Sequence, residues 1–220
     1  MCNTSGTYPS SYIGRRGYRC RVPVLSLDDV LAEVMRRDGS GTGIRLVGVD
    51  GPSGSGKSTL AARLAARASA PIVAVDDFVS WSDFAGWWPR FDRQVLTPLL
   101  SGADARYQVR DWANDEFGTS LDGWKTVAWA PLVILEGVTC TRLAAARRLA
   151  YTIWVEAPED LRLQRGLGRD GTDHRQLWLT WMAEEREFFA ADGTRARADL
   201  RVSGHPTVRH DPETELVTLD

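Results

Sequence analysis

Lysine is almost missing from this 220-residue chain: of its 27 basic residues only Lys57 and Lys125 are lysines, and the rest are arginines. Against that background a retained lysine is informative. Cysteine is scarce too. Cys2, Cys20 and Cys140 are odd in number and widely spaced, which excludes a disulfide scaffold and fits a reducing compartment. No apolar run approaches the roughly 20 residues of a membrane span, and the first twenty residues lack the apolar core of a secretory signal. The net charge of −2 lacks the positive excess of a general nucleic-acid or acidic-membrane binder. The three histidines, His174, His205 and His210, form no metal-ligand spacing with the cysteines, and no G-x-S-x-G elbow is present. These absences predict a cytoplasmic protein with neither nucleic-acid nor membrane partners.

What is present reads as one globular domain. Hydrophobic residues make up 43% and charged residues 25%, as in ordinary soluble domains, and the length suits a single large core. Residues 1–22 are rich in Ser, Gly, Tyr and Arg without periodicity and read as a flexible tail. Ser26 is placed to cap a helix over 27–37. Short apolar, β-branched runs at 44–49, 71–75, 131–135 and 151–155 read as buried strands, with a last one at 200–202. Helices are expected at 57–69, around 91–99 with a kink at Pro98, at 158–168 and at 174–191. Strand–helix alternation of this kind predicts an α/β layer fold with a mostly parallel, five-stranded sheet. The domain runs over 23–206, with 102–130 a substrate-side insertion, 158–191 a lid and following helix, and 207–220 a polar tail.

Gly51-Pro-Ser53-Gly54-Ser55-Gly56-Lys57-Ser58-Thr59 fits G-x-x-x-x-G-K-[ST]. The glycines let backbone N–H groups curl around phosphate oxygens, and the following helix adds its N-terminal dipole. Lys57 reaches the β- and γ-phosphates of ATP and the Ser58 hydroxyl binds Mg²⁺. A buried strand before the loop and an Ala-rich helix after it give the motif its required context.

Carboxylates end two further strands. Asp76-Asp77 follow the second strand, where a carboxylate can accept the proton of an attacking hydroxyl or help hold Mg²⁺; one of the pair suffices. Glu136 follows the third apolar strand, the place of a metal-orienting acid. Arg162, Arg165 and Arg169 share a helix face and can close over a triphosphate. Arg175 and Arg186 are weaker candidates for the same work. In the insertion, Tyr107, Asp111 and Trp112 can stack and hydrogen-bond a flat substrate, with Trp87-Trp88 as another wall. His205-Pro206 is placed to border an adenine.

Together, the phosphate loop, the strand ending in Asp76-Asp77-Phe78, the Leu135-Glu136-Gly137-Val138 element and the arginine row resemble the uridine kinase-like P-loop kinases, which group with phosphoribulokinase and pantothenate kinase. The resemblance covers about residues 44–204. It implies a three-layer α/β/α P-loop fold with an Arg-bearing lid, with ATP and Mg²⁺ as cofactors. Asp76 takes the place of the family's general base, with Phe78 matching the neighbouring aromatic. Glu136 takes the place of the acid near the metal, beside Ser58 and Asp76. Arg165 and Arg169 take the lid positions, Arg169 toward the acceptor. Asp77, Phe78, Trp88, Tyr107, Asp111 and Trp112 fall in the substrate-binding segments, Asp111 as ribose partner. The chain departs from the pattern at 113–118, which holds no pyrimidine-reading histidine, at Asp77 in place of a small hydroxyl residue, and at Val79 in place of tyrosine.

The implied activity is transfer of the ATP γ-phosphate to a hydroxyl of a nucleoside-like small molecule. An antibiotic or vitamin alcohol is the alternative acceptor, and homo-oligomerisation stays open. A GTPase would need an N/T-K-x-D motif, which Lys125 in Trp-Lys-Thr-Val cannot supply; a transport ATPase would need an L-S-G-G-Q-like signature. A binding module without turnover would have no need of Lys57, Ser58, Asp76 and Glu136 together.

Overall fold

Ser26 caps the first helix as its position predicts: its hydroxyl accepts a hydrogen bond from the Asp29 N–H at 3.0 Å, partnering a donor that the first turn leaves free. The computed structural model describes residues 24–219; Cys2, Cys20 and the expected tail over 1–22 lie outside them. From the start, β1 (Val24–Ser26) leads into α1 (Leu27–Arg36), which buries Leu27, Val30 and Val34 on one face. Then come β2 (Arg45–Asp50), the Gly-rich loop, α2 (Lys57–Ala68) and β3 (Ile72–Ala74).

The next helix is composite: α3 (Trp88–Phe91), a π-turn over Asp92–Leu96, and α4 (Thr97–Leu100). The irregularity expected at Pro98 sits just before it. Thr97 N–H bonds the Asp92 carbonyl five residues back. Pro98 has no N–H for the Gln94 carbonyl and its ring crowds it, and a wider turn relieves both problems. Residues 102–130 fold as a hairpin of β4 (Ala105–Arg110) and β5 (Leu121–Val127), with a register shift between Gln108 and Val109. The chain continues through β6 (Leu132–Glu136), β7 (Tyr151–Glu156), α5 (Glu159–Asp170), α6 (Arg175–Asp192), α7 (Thr194–Arg197), β8 (Leu200–Ser203) and β9 (Glu215–Val217).

Five strands form one parallel sheet in the order β3-β6-β2-β7-β8. Its strands are apolar along their length because both faces are covered, yet their side chains still alternate. Val133 and Leu135 of β6 join Ile44, Leu46, Phe78, Trp87 and Phe91 in one core. Leu132 and Ile134 join Val47, Val49, Leu60 and Leu64 in the other, under α1 and α2. This is the three-layer P-loop fold. β2 is central, with β6 on one flank and β7 on the other, so its carboxyl end opens where the connections diverge, the place in such sheets where ligands gather.

The C-terminal stretch, polar in composition and read as a tail, carries a strand. β9 pairs antiparallel with β1, Thr218 bridges to Val202 of β8, and Leu216 and Val217 are buried. Two adjacent apolar residues among polar neighbours are too short a pattern to read as a strand, but Leu216 joins the second core. No helix of the described residues is long and apolar enough to cross a membrane.

Candidate active site

The loop after β2 is shaped by close approach. Gly51 has φ +139°, and a Cβ there would stand 2.0 Å from the Val155 carbonyl oxygen. Gly54 has φ +75°, and its Cβ would stand 2.6 Å from that of Arg162. Any larger residue would push the loop off β7 and α5. Behind the loop, Asp50 is fully buried at the end of β2. One carboxylate oxygen accepts from the N–H groups of Gly51 (2.7 Å) and Thr139 (2.8 Å). The other accepts from the Thr141 N–H (2.7 Å) and hydroxyl (2.8 Å). Burial pushes its pKa up, opposed by the donors from Thr141 and Gly51. The group fastens the loop to the turn after β6, where Thr139 holds φ +64°, a costly conformation for a β-branched residue.

In front of the loop lies a cavity of about 1110 Å³. Ser53, Gly54, Gly56, Lys57, Ser58, Thr59, Asp76, Trp112, Glu136, Arg165 and Arg169 line it. Gly51 and Ser55 are buried behind the loop. Lys57 is largely buried and its Nζ donates to the Pro52 carbonyl at 3.1 Å. Ser58 Oγ donates to Glu136 Oε1 at 3.0 Å. Glu136 has its pKa raised, first by burial and then by the charges of Asp76 and Asp50, with Lys57 and Ser58 opposing. Glu136→Gln is therefore expected to stabilise the nucleotide-free protein. With a folded pKa above the ordinary 4.5, the native state keeps a proton that the unfolded chain releases. That contribution is full below pH 4.5 and is lost as pH rises through the folded value. Thermal melts of variant and wild type should diverge at pH 8, the variant higher, and converge near pH 4.

The adjacent aspartates part company. They sit on a single 3₁₀ turn, Val75–Asp77, which points them to different sides. Asp76 lines the cavity, and among the described residues its carboxylate accepts no hydrogen bond; its backbone carbonyl takes the Trp112 Nε1–H at 2.9 Å. Asp77 turns to the hairpin, paired with Lys125 Nζ at 2.7 Å and with the Tyr107 hydroxyl at 3.2 Å. The second lysine of the chain is thus a hairpin anchor.

Several expected substrate contacts lie outside the cavity. Phe78 is fully buried, 4.9 Å from the Tyr107 ring and 5.0 Å from Phe91. Trp88 stacks on Phe91 and lies under the Arg142 guanidinium. Asp111 accepts from the Asn114 N–H and side-chain amide in a local turn. His205 is exposed, while Pro206 reaches the lining. These aromatic runs make core because the insertion must be cemented to the sheet.

The arginine row divides as well. Arg165 donates to the carbonyls of Gly54 (3.0 Å) and Gly204 (3.1 Å). Arg169 pairs with Asp170 at 2.7 Å over the Trp178 ring; that hydrogen bond raises its pKa, with Asp76 and Glu136 adding to it. Arg162 faces inward, buried, and holds Glu185 Oε2 at 3.2 Å and the Ser53 carbonyl at 3.3 Å. Glu185 and Trp181 of α6 have no sequence signature, because one Glu four residues after one Trp on a long helix is commonplace. Trp181 joins Trp81, Trp178 and Trp112 on the cavity wall. His210, Pro212 and Glu213 of the C-terminal stretch line the same space.

Residues 47–189 match the family model of an AAA domain, AAA_18. A solved structure described as a possible uridine kinase, from Bacillus stearothermophilus, is similar with a TM-score of 0.58 at 17% identity, covering 80% of this chain and 96% of that one. A candidate fructose transport system kinase from Silicibacter sp. TM1040 gives 0.54 at 23% identity, covering 80% and 98%. At such identities the likeness is one of fold. Among curated proteins none matches the sequence.

Proposed function

The chain belongs to the AAA_18 family of AAA domains, and from that premise we propose that it is a small-molecule kinase transferring the γ-phosphate of ATP to a hydroxyl of a nucleoside-like acceptor. The observation that carries this reading is Asp76. Its carboxylate, free of hydrogen bonds among the described residues, lines the same cavity as Lys57 and Ser58. An acceptor hydroxyl lying against Asp76 loses its proton to that carboxylate as its oxygen bonds to the γ-phosphorus, and the bond to the ADP oxygen breaks. Lys57 and the loop N–H groups bind the phosphate oxygens. Arg169, tethered beside the cavity, offsets negative charge there, and Arg165 holds the loop against β8.

The donor set suits Mg²⁺. Ser58, Glu136 and Asp76 present hard oxygens, and Mg²⁺ takes one or two carboxylates and leaves the rest of its shell to phosphate and water. Burial first, and then the charges of Asp76 and Asp50, raise the Glu136 pKa, and a bound cation would stabilise the ionised carboxylate. When bound there, Mg²⁺ would neutralise phosphate charge. The C-terminal wall and the loop would take the nucleotide, and the tryptophan wall the acceptor, from which it excludes water. We propose a single domain that begins near residue 23 and takes in the C-terminal stretch through β9, with the hairpin as acceptor-side insertion. A second reading keeps this chemistry and changes the acceptor. The four cavity tryptophans, with no histidine at 113–118, favour a larger flat alcohol such as an antibiotic or vitamin.

The test is ADP release from Mg-ATP with a panel of nucleosides, vitamins and aminoglycoside-like alcohols. Stimulation by one acceptor is the expected outcome. Slow, acceptor-independent ADP release would mark an ATPase, and ATP binding without turnover a binding module. Lys57→Ala should impair both ATP binding and turnover, since its ammonium serves ground state and transition state alike.

A further inference from the structure

Ser53 is the loop residue most completely held from outside the loop. Glu185 Oε1 accepts its N–H at 2.7 Å. Trp181 Nε1 donates to its hydroxyl at 3.0 Å and to Glu185 Oε1 at 2.9 Å. Arg162 donates to its carbonyl and to Glu185 Oε2. Glu185 is 1% exposed, so this ion pair and its hydrogen bonds sit in a medium where each is strong and each loss costly. Trp181 also packs edge-on to Trp81, another residue of the cavity lining, at 5.4 Å and to Phe84 at 4.8 Å. One indole thus touches the proposed acceptor wall with its ring and the phosphate loop with its N–H.

We propose that Trp181 and Glu185 are positioning residues: they fix Ser53, and with it the phosphate loop, so that a change at the acceptor wall is felt as a change in nucleotide affinity. The proposal rests on the reading of this loop as the nucleotide site. Coupling of this kind requires a physical link with defined contacts, and here it is a single side chain and its hydrogen bonds.

The experiment is a titration of the full chain with Mg-ADP, alongside thermal melts. Trp181→Phe keeps the ring and removes the N–H; Glu185→Gln keeps Oε1 as acceptor and removes the charge opposite Arg162. Each should weaken Mg-ADP about 5- to 20-fold, at the lower end of typical coupling between sites. Trp129→Phe is the control. It also removes a bonded indole N–H, held by the Leu99 carbonyl at 3.0 Å, but it lies just before β6, at the amino end of the sheet and away from the loop, and it should lower the melting temperature while leaving Mg-ADP affinity within about 2-fold of wild type. Ser53→Ala, which deletes only a hydroxyl and does not threaten folding, should weaken binding about 3-fold, and combined with Trp181→Phe should add nothing to it. Wild-type affinity in Trp181→Phe, Glu185→Gln and Ser53→Ala overturns the proposal, as does an equal loss in Trp129→Phe. A wild-type protein that binds no Mg-ADP overturns the nucleotide reading itself, and the proposal with it.

Discussion

Replacing Asp76 with asparagine is expected to lower turnover at least ~100-fold while leaving Mg-ATP binding in place. Asparagine matches aspartate in shape but cannot accept the hydroxyl proton, so the loss falls on kcat. The neighbour provides the contrast. Asp77 is paired with Lys125 and Tyr107 outside the cavity, so Asp77→Asn should loosen the hairpin and change turnover by less than ~10-fold. Steady-state kinetics of the two variants, with the acceptor that stimulates ADP release, separate the roles. Full turnover in Asp76→Asn would remove that residue from the mechanism, and a deep loss in Asp77→Asn would exchange the two.

Asp50→Ala should cost stability rather than one catalytic step. Four donors converge on this carboxylate, and alanine leaves all of them buried without an acceptor. At about 1–3 kcal/mol for each unsatisfied group, and with some relaxation, the loss should be at least about 3 kcal/mol. For a chain of this size that lowers the melting temperature by about 6–12 °C. Nucleotide affinity should fall with it, because the Gly51 N–H and the turn at Thr139 lose their common anchor. Unchanged melting would mean that the loop and the turn after β6 hold their positions without Asp50.

The sheet was legible because its strands announce themselves. Ile44–Val49, Pro131–Leu135 and Tyr151–Val155 are too short and too β-branched to be helices, and they differ from the observed strands by about a residue at each end. The phosphate loop was legible because its spacing is chemically demanding. The strand-end acids followed from the general rule that ligands collect at the carboxyl ends of parallel strands. What a single sequence hides is direction. Nothing in Asp76-Asp77 tells which carboxylate enters the cavity, since one 3₁₀ turn decides it. Nor does helical spacing reveal that Arg162 turns inward to Glu185 while Arg165 and Arg169 do not. Phe78, Trp88 and Tyr107 are aromatic for the sake of packing, and an aromatic residue beside an acid looks the same in sequence whether it stacks a substrate or another ring. β9 was hidden for a different reason: a three-residue strand gains its stability from a distant partner, β1, which local composition cannot register.

That antiparallel ribbon also sets an order of events for the ribosome. Pro206, His210, Pro212, Glu213 and the β9 residues form one wall of the cavity, and they are translated after all five sheet strands. A nascent chain that has already emitted its phosphate loop and all five sheet strands still lacks this wall. Its β1, about 190 residues upstream in β9's pairing register, must wait for β9 before the ribbon can close, a long-range step of the kind that slows folding. Completion of the pocket is thereby tied to the synthesis of β9, and a chain cut between β8 and β9 would keep the sheet and the loop but leave the proposed nucleotide site without this wall.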